Sequence, residues 1–316
     1  MSYVGLGQVA AELARGDGGL NVFFGVHSVL AMTTINAFGT DEQKERWLPQ
    51  MARMEKIGAF ASTEPMHGSD IATMETRARR DGNNWVLNGT KRWIGNASIA
   101  DVVIVWARTE QGAVSAFLVE KGIPGFSAEV IQGKLAVRTS WQTNIRLDNV
   151  RIPAENHLSK VRGMNDLFRL LNASRYCLAW AAVGHSMACY EYALAYARHR
   201  KQFGKSLVSF QMVQQKLVRM LAEITSMQLL CWQLGRLFEN GKVTIGKVSL
   251  AKMITATKGR QIAADARDIL GGNGILIENH VAKHMADMEI PFTVEGTDHM
   301  QTLIVGREIT GVQAIL

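Results

Sequence analysis

Hydrophobic and polar positions change rhythm twice along this chain. Up to about residue 56 the apolar positions fall at helical spacing. Gly18 and Gly19 separate two predicted helices. The second carries Phe23, Val26, Leu30, Ile35 and Phe38 and stops at Gly39. Thr40-Asp41-Glu42-Gln43 then reads as a capping box opening a short helix with Trp47. From about Ile57 strand-sized apolar runs take over: Met74 to Arg80, Trp85 to Leu87, Val102 to Ala107, Val114 to Val119 and Asn144 to Leu147. Between them lie turn signals such as Asp81-Gly82-Asn83-Asn84 and Asn88-Gly89. After Pro153 the helical period returns and stays. One helix is predicted over 164–200, in one or two pieces, with a stop at Gly204. A second starts near Ser209 with an apolar face of Val213, Leu217, Leu221, Ile224, Leu230, Leu234 and Leu237. A third covers 247–270, a fourth starts near Glu278, and a last helix follows a bend around Glu295.

Strands and helices that do not alternate exclude a doubly wound sheet and a TIM barrel. The order predicts an α+β fold, mostly α. It has a helical segment (1–56), a central β-barrel or sandwich (57–160) and an antiparallel C-terminal four-helix bundle (161–316). Gly5-Leu6-Gly7-Gln8-Val9-Ala10 imitates a dinucleotide fingerprint, but there is no room for a full preceding strand and no βαβ unit follows.

Composition narrows the classes. Apolar residues make up 47% of 316, which argues against global disorder. The net charge of +7 is spread along the chain, as on solvated helix faces. Without a basic block a nucleic-acid partner is not expected, although a polyanionic small molecule such as a coenzyme A ester would be attracted. Cys177, Cys189 and Cys231 all lie in apolar helical stretches, which predicts buried, reduced thiols and an intracellular protein. Leu178 to Ala197 is the most apolar window. His185 and Glu191 break it, so it reads as a bundle helix and no membrane span is expected. The histidines form no metal constellation, and His280 with His284 reads as a surface pair.

Five stretches can carry chemistry. Ile290-Pro291-Phe292-Thr293-Val294-Glu295-Gly296-Thr297 sets one carboxylate on a bend where a helix begins. Gly296 lets a ligand approach the backbone, and Thr297 can cap the helix or bond a ligand; an ordinary acidic first turn fits as well. Phe60-Ala61-Ser62-Thr63-Glu64-Pro65-Met66-His67-Gly68-Ser69-Asp70 is a hydroxyl-rich loop able to face a heteroaromatic ring, or a plain turn. Lys91-Arg92-Trp93-Ile94-Gly95-Asn96 puts a tryptophan where it can flank a flat ring or fill a core. Arg198 to Gly204, with Gln211 beyond, suits a helix C-terminus or a phosphate. Gly271-Gly272-Asn273-Gly274 is a helix stop and also a bare backbone against which a pyrophosphate can lie.

Taken in order, these stretches resemble the acyl-CoA dehydrogenase family of flavoproteins over nearly the whole chain. Thr63-Glu64-Pro65 with Gly68-Ser69-Asp70, Trp93-Ile94, Arg200 with Gln202-Phe203-Gly204, Leu270 to Gly274 and Glu295-Gly296-Thr297 carry the resemblance. Met74 to Ala78, Trp93 to Asn96 and Gly306 to Gly311 are most similar to its glutaryl-CoA dehydrogenase and plant short-chain acyl-CoA oxidase branches. The resemblance implies FAD as cofactor. Phe60, Ser62, Thr63, Ser69, Trp93, Ile94 and Gly95 would lie around the flavin ring, and Thr297 and His299 would sit against it. Arg200, Phe203 and Gln211 would reach the FAD of a neighbouring subunit, and Asp268, Gly271 and Gly272 its adenosine half, within a homotetramer. Ser69, Asn172, Arg175 and Gly296 would meet the acyl-CoA, and Glu295 would be the base. The implied reaction gives a trans-2-enoyl-CoA, with electrons passed to an electron-transfer flavoprotein or, in the oxidase branch, to oxygen. The implied setting is the bacterial cytoplasm or a mitochondrial matrix.

Three departures from the family pattern matter. Val294 stands where tyrosine is usual before the base. Asn21 stands where glutaryl-CoA dehydrogenases place an arginine for the distal carboxylate, so an unsubstituted short or medium acyl chain is favoured over glutaryl-CoA. The family's first helices have no counterpart, which leaves room for a non-catalytic flavin- or CoA-binding protein.

Overall fold

The computed structural model describes residues 1–314. By their contacts these divide into two compact units. Unit 1 comprises 1–21, 135–139 and the described residues from 175 onward, and unit 2 comprises 22–134 and 140–174.

The chain opens with α1 (Tyr3–Gly16) and α2 (Gly18–Phe24). A π-helical stretch (Gly25–Met32), α3 (Thr33–Phe38) and α4 (Asp41–Ala52) follow. The capping box at α4 is present, with Thr40 and Gln43 bonded reciprocally. The widened π turns were not legible in the sequence. His27, inside them, accepts from Gly58 N–H at 3.0 Å through Nδ1 and reaches the Met51 carbonyl at 3.1 Å through Nε2. That pairing fixes a neutral imidazole, and burial holds its pKa below the ordinary value. Gly18–Phe38 is, among the described residues, the one helix long and apolar enough to cross a bilayer; half of its window is buried, as in a core helix.

Unit 2 is built on a seven-stranded sheet of β1 (Gly58–Ala61), β2 (Arg77–Asp81), β3 (Asn84–Gly95), β4 (Val102–Thr109), β5 (Val114–Glu120), β6 (Phe126–Val130) and β7 (Gln142–Pro153). The order is β1-β4-β2-β3-β7-β6, with β5 beside β4. β1 and β2 run parallel to β4, and the other pairings are antiparallel. β4 reads as an unbroken apolar run because both faces are covered. Ile104 and Trp106 enter one core with Leu30, Ile35, Trp47 and Leu118, whereas Val103 and Val105 enter another with Phe117, Leu147 and Ile152. β6 has no counterpart among the predicted runs. It is an edge strand whose residues are half-buried or exposed, so it lacks an apolar pattern.

The C-terminal helices are α5 (Met164–His199, one piece), α6 (Gln211–Glu239), α7 (Ile245–Ile269), α8 (Val281–Asp287), α9 (Glu289–Thr293) and α10 (Asp298–Thr310). A tight hairpin, β8 (Lys201–Gln202) with β9 (Lys205–Ser206), joins α5 to α6. In unit 1, α7 packs against α6, α8, α9 and α10. α1 crosses α5 so closely that a Cβ at Gly184 would lie 2.0 Å from the Ala11 carbonyl oxygen. The imitation fingerprint lies in α1, with Gly7 pressed on Trp180.

Candidate active site

In unit 1, α9 ends at Thr293 and Val294 is extended. Glu295 then turns left-handed at φ 57°, and Gly296 follows at φ 94°. Thr297 caps α10, its hydroxyl accepting from Met300 N–H at 3.4 Å. A left-handed glutamate costs about 1–3 kcal/mol and persists only where its surroundings over-determine it. Here they do. Arg175 Nε donates to the Glu295 carbonyl at 2.9 Å. Gln301 Nε2 donates to the same carbonyl at 3.1 Å and to that of Gly296 at 2.8 Å. Lys252 Nζ donates to the carbonyls of Gly296 at 2.8 Å and Phe292 at 3.2 Å. Those three side chains come from α5, α7 and α10, and all are buried: Arg175 is 6% exposed, Lys252 1% and Gln301 0%. The Glu295 residue itself is half-buried.

The electrostatics follow from that burial. Loss of hydration pulls Lys252 down to about 8; Glu295 and Asp298 oppose the shift and Arg175 adds to it. Burial also lowers Arg175, again opposed by Glu295. Each cation gains from the Glu295 charge, and the attraction is mutual. Burial, followed by the same carboxylate, pushes the Cys177 thiol upward, which leaves it inert.

The remaining predicted residues of unit 1 gather at the far end of α7. Asp268 pairs with Lys216 of α6, and Asn273 Nδ2 donates to the Tyr196 hydroxyl of α5 at 2.8 Å. Exposed Gly271 and Gly272 therefore lie on one edge with Arg200, Phe203 and Gln211. Phe203 and Gly204 form the hairpin turn with φ 52° and 75°. That turn leaves the Phe203 ring 93% exposed. Residues 252 and 268 are about 24 Å apart along α7, so this edge is a second cluster, separate from the Glu295 bend. His299 is exposed on the first turn of α10.

In unit 2 the predicted residues fall on the ends of β1 and β3. Trp93 lies where the β3–β7 register breaks between Lys91 and Ile94. It is left-handed at φ 64°, with the indole 51% exposed. Arg92 N–H donates to the Thr63 carbonyl at 2.9 Å, which lays the half-buried Thr63 alongside. Gly95 faces Val26 of the π-helical stretch, where a Cβ would come within 3.0 Å. Phe60, Ser62 and Ile94 are buried, so the Phe60 and Ile94 side chains serve the core and offer a ligand only backbone. Ser69 is exposed, and the Asn172 Oδ1 is buried with no hydrogen-bond partner. Beneath this end, Lys91 Nζ donates to Glu64 Oε1 and to the Ser62 carbonyl, both at 2.9 Å. Glu64 also accepts from the backbone of Glu75 and Thr76.

Sequence reasoning missed Lys252, Gln301 and the Lys91–Glu64 pair. For Lys252 a signal was present: a lysine at the spacing of Val248, Thr255, Ala256 and Gly259, all on the buried face of α7. The surface reading of His280 and His284 is corrected. His280 is exposed and stacks on Tyr192. His284 is buried, with its Nδ1 2.9 Å from that of His185, because α8 turns it inward with Val281 and Asp287. Burial holds both rings of that pair neutral, His284 at about 4.

Comparison with known proteins covers the whole length. The chain matches family models described as acyl-CoA dehydrogenase N-terminal domain (residues 1–55), middle domain (59–150) and C-terminal domain (161–310). It is 34% identical over 310 residues to the mitochondrial short-chain specific acyl-CoA dehydrogenase of Bos taurus, covering 96% of this chain and 75% of that one. A crystal structure of glutaryl-CoA dehydrogenase from Mycobacterium smegmatis aligns with TM-score 0.97 and 43% identity, over 100% of this chain and 81% of that one. Another from the same organism, in complex with FADH2, aligns with TM-score 0.98 and 39% identity, over 100% and 82%. Butyryl-CoA dehydrogenase from Megasphaera elsdenii aligns with TM-score 0.91 and 32% identity, over 95% and 80%.

Proposed function

Because the chain belongs to the acyl-CoA dehydrogenase family, FAD-dependent oxidoreductases acting on CH–CH bonds, we propose that Glu295 is the base that desaturates a short- or medium-chain acyl-CoA to its trans-2-enoyl-CoA. The observation that carries this reading is the strained Glu295 bend, held by buried donors from three helices. Strain so thoroughly supported marks a side chain whose direction matters.

The residues present fit a flavin. Trp93 offers a half-exposed flat face at a strained position, and Thr63 offers a hydroxyl beside it. The backbone of Phe60, Ser62, Ile94 and Gly95, with Ser69, would hold the ring. When bound, FAD supplies the hydride acceptor at flavin N5. Glu295 takes the α-proton onto its carboxylate, and its backbone N–H donates to the thioester carbonyl, meeting negative charge where it develops. Arg175, committed through Nε to the Glu295 carbonyl, keeps that N–H and side chain aimed. Gly296, Asn172 and Ser69 border the acyl-CoA. A buried Asn172 oxygen with no partner suits a channel that takes up a polar ligand group.

Arg200, Phe203, Gln211, Asp268, Gly271 and Gly272 serve the FAD of a neighbouring subunit in a homotetramer. Support comes from the exposed Phe203 ring, which water alone covers poorly. An electron-transfer flavoprotein receives the electrons, in the cytoplasm or a mitochondrial matrix. Glutaryl-CoA is the second reading, favoured by the 43% identity to a glutaryl-CoA dehydrogenase. Against it, Asn21 is buried and spends its amide on the Ala10 carbonyl at 2.9 Å, so it offers a distal carboxylate no counter-charge. Anaerobic flavin bleaching, screened across acyl-CoAs of rising length, tests both. Fastest bleaching by a straight short or medium chain supports the first reading. Carbon dioxide release from glutaryl-CoA at a comparable rate replaces it with the second, and no bleaching by any thioester refutes both.

A further inference from the structure

We propose that Lys252 is a positioning residue for proton transfer: its ammonium pins both ends of the Glu295 bend and supplies the charge against which Glu295 gains and loses its proton. The inference rests on Glu295 being the base. The geometry is specific. Phe292 and Gly296 bracket Glu295, and Lys252 Nζ bonds both of their carbonyls, at 3.2 and 2.8 Å. A side chain needed only to fill the α7 core would be apolar. A buried ammonium costs several kcal/mol unless its surroundings use it. Arg260 lies over the Phe292 ring at 4.2 Å and bonds Glu289, so α9 is anchored independently of Lys252.

The charged and titratable groups facing Lys252 are Glu295, Arg175 and Asp298, and Cys177 faces Glu295 from α5. Within this set Glu295 is the group whose charge changes during turnover. When its carboxylate accepts the α-proton, Lys252 and Arg175 lose their stabilising counter-charge. They therefore favour return of the proton to solvent and restoration of the anionic base. Removing the Lys252 charge should make ionised Glu295 less favourable.

The test uses flavin-loaded protein and four variants: Lys252→Met, Lys252→Gln, Lys252→Arg and Glu295→Gln. Lys252→Gln keeps an amide donor at this position but carries no charge, so it separates charge from hydrogen bonding. At saturating butyryl-CoA, anaerobic flavin reduction should slow about tenfold in Lys252→Met and Lys252→Gln, with little change in the substrate concentration for half-maximal rate. The acid limb of the rate against pH should move up by about one unit, the size expected for losing a nearby opposite charge. Lys252→Arg should restore the limb. Infrared difference spectra, with Glu295→Gln as the blank, should show the same upward move in the Glu295 carboxyl titration. This second readout does not depend on turnover. An unmoved limb and carboxyl titration in either neutral variant overturns the proposal. Loss of fold in both neutral variants makes Lys252 a folding residue and overturns it as well. Wild-type turnover by Glu295→Gln refutes the base assignment itself, a different failure.

Discussion

Lys91 in the sheet unit and Lys252 in the helical unit are both almost wholly buried, and burial brings both down to about 8. Their partners differ. Lys91 is locked to Glu64 at 2.9 Å, and the remaining capacity of Glu64 goes to two backbone N–H groups. The charges cancel on the spot, and the pair joins the strand ends that carry Ser62 and Trp93. Lys252 instead spends its hydrogen bonds on the carbonyls of a strained bend, and its electrostatic partner Glu295 is the group that titrates in the proposed reaction. A closed pair fixes a shape, whereas a cation facing a working carboxylate also tunes chemistry. Removing Lys91 should therefore appear mainly in stability, and removing Lys252 mainly in rate.

The largest expected effect tests the closed pair. Lys91→Met leaves the Glu64 charge buried without its cation and should cost about 3–5 kcal/mol, read as a fall in urea midpoint with loss of flavin. Adding Glu64→Leu should recover most of that, because two apolar groups strand no charge. If the double variant is as unstable as the single one, the pair is not the closed unit described. Gly296→Ala comes next. At φ 94° a side chain is strained, and its Cβ would lie 2.6 Å from Gln301 Nε2. We expect a loss of about 1–3 kcal/mol in the urea midpoint and a deficit in the rate of flavin reduction.

The remaining effects are in pH dependence. Between about 8, where the folded lysines release their protons, and 10.5, where the unfolded chain does, the unfolded state holds protons that the folded state lacks. Stability from the Lys252 site should thus rise with pH in that window, by about 1.4 kcal/mol per pH unit where it titrates fully. Flavin reduction should fall over the same window, as the Lys252 charge is lost. On the acid side, burial pushes Glu64 up, but Lys91 and the Thr76 and Glu75 donors hold it below the ordinary 4.5. Its share of stability is present above that value and is lost as pH falls below it, so Glu64→Leu with Lys91→Met should flatten the acid arm of urea midpoints.

The outlines that were legible in the chain are those written in local spacing. The helical period gave α6, α7 and α10, the Thr40 capping box marked α4, and proline, glycine and threonine around Glu295 announced a bend before a helix. The unreadable parts depend on partners far along the chain. Lys252 meets carbonyls 40 and 44 residues away, and Lys91 meets a carboxylate 27 residues back. Before those partners are known, a lysine reads as surface. His284 misled for the same reason, since its partner His185 is 99 residues away. β6 was hidden because an edge strand needs no apolar pattern, and the π turns because nothing in the spacing of Gly25–Met32 departs from an ordinary helix.

The most direct measurement mixes flavin-loaded Glu295→Gln with butyryl-CoA in the absence of oxygen and follows flavin bleaching beside the unaltered protein. The variant should keep its yellow flavin and bind the thioester, yet bleach about a hundred- to ten-thousand-fold more slowly, the span of a lost general base. Bleaching at the rate of the unaltered protein would contradict Glu295 as the base.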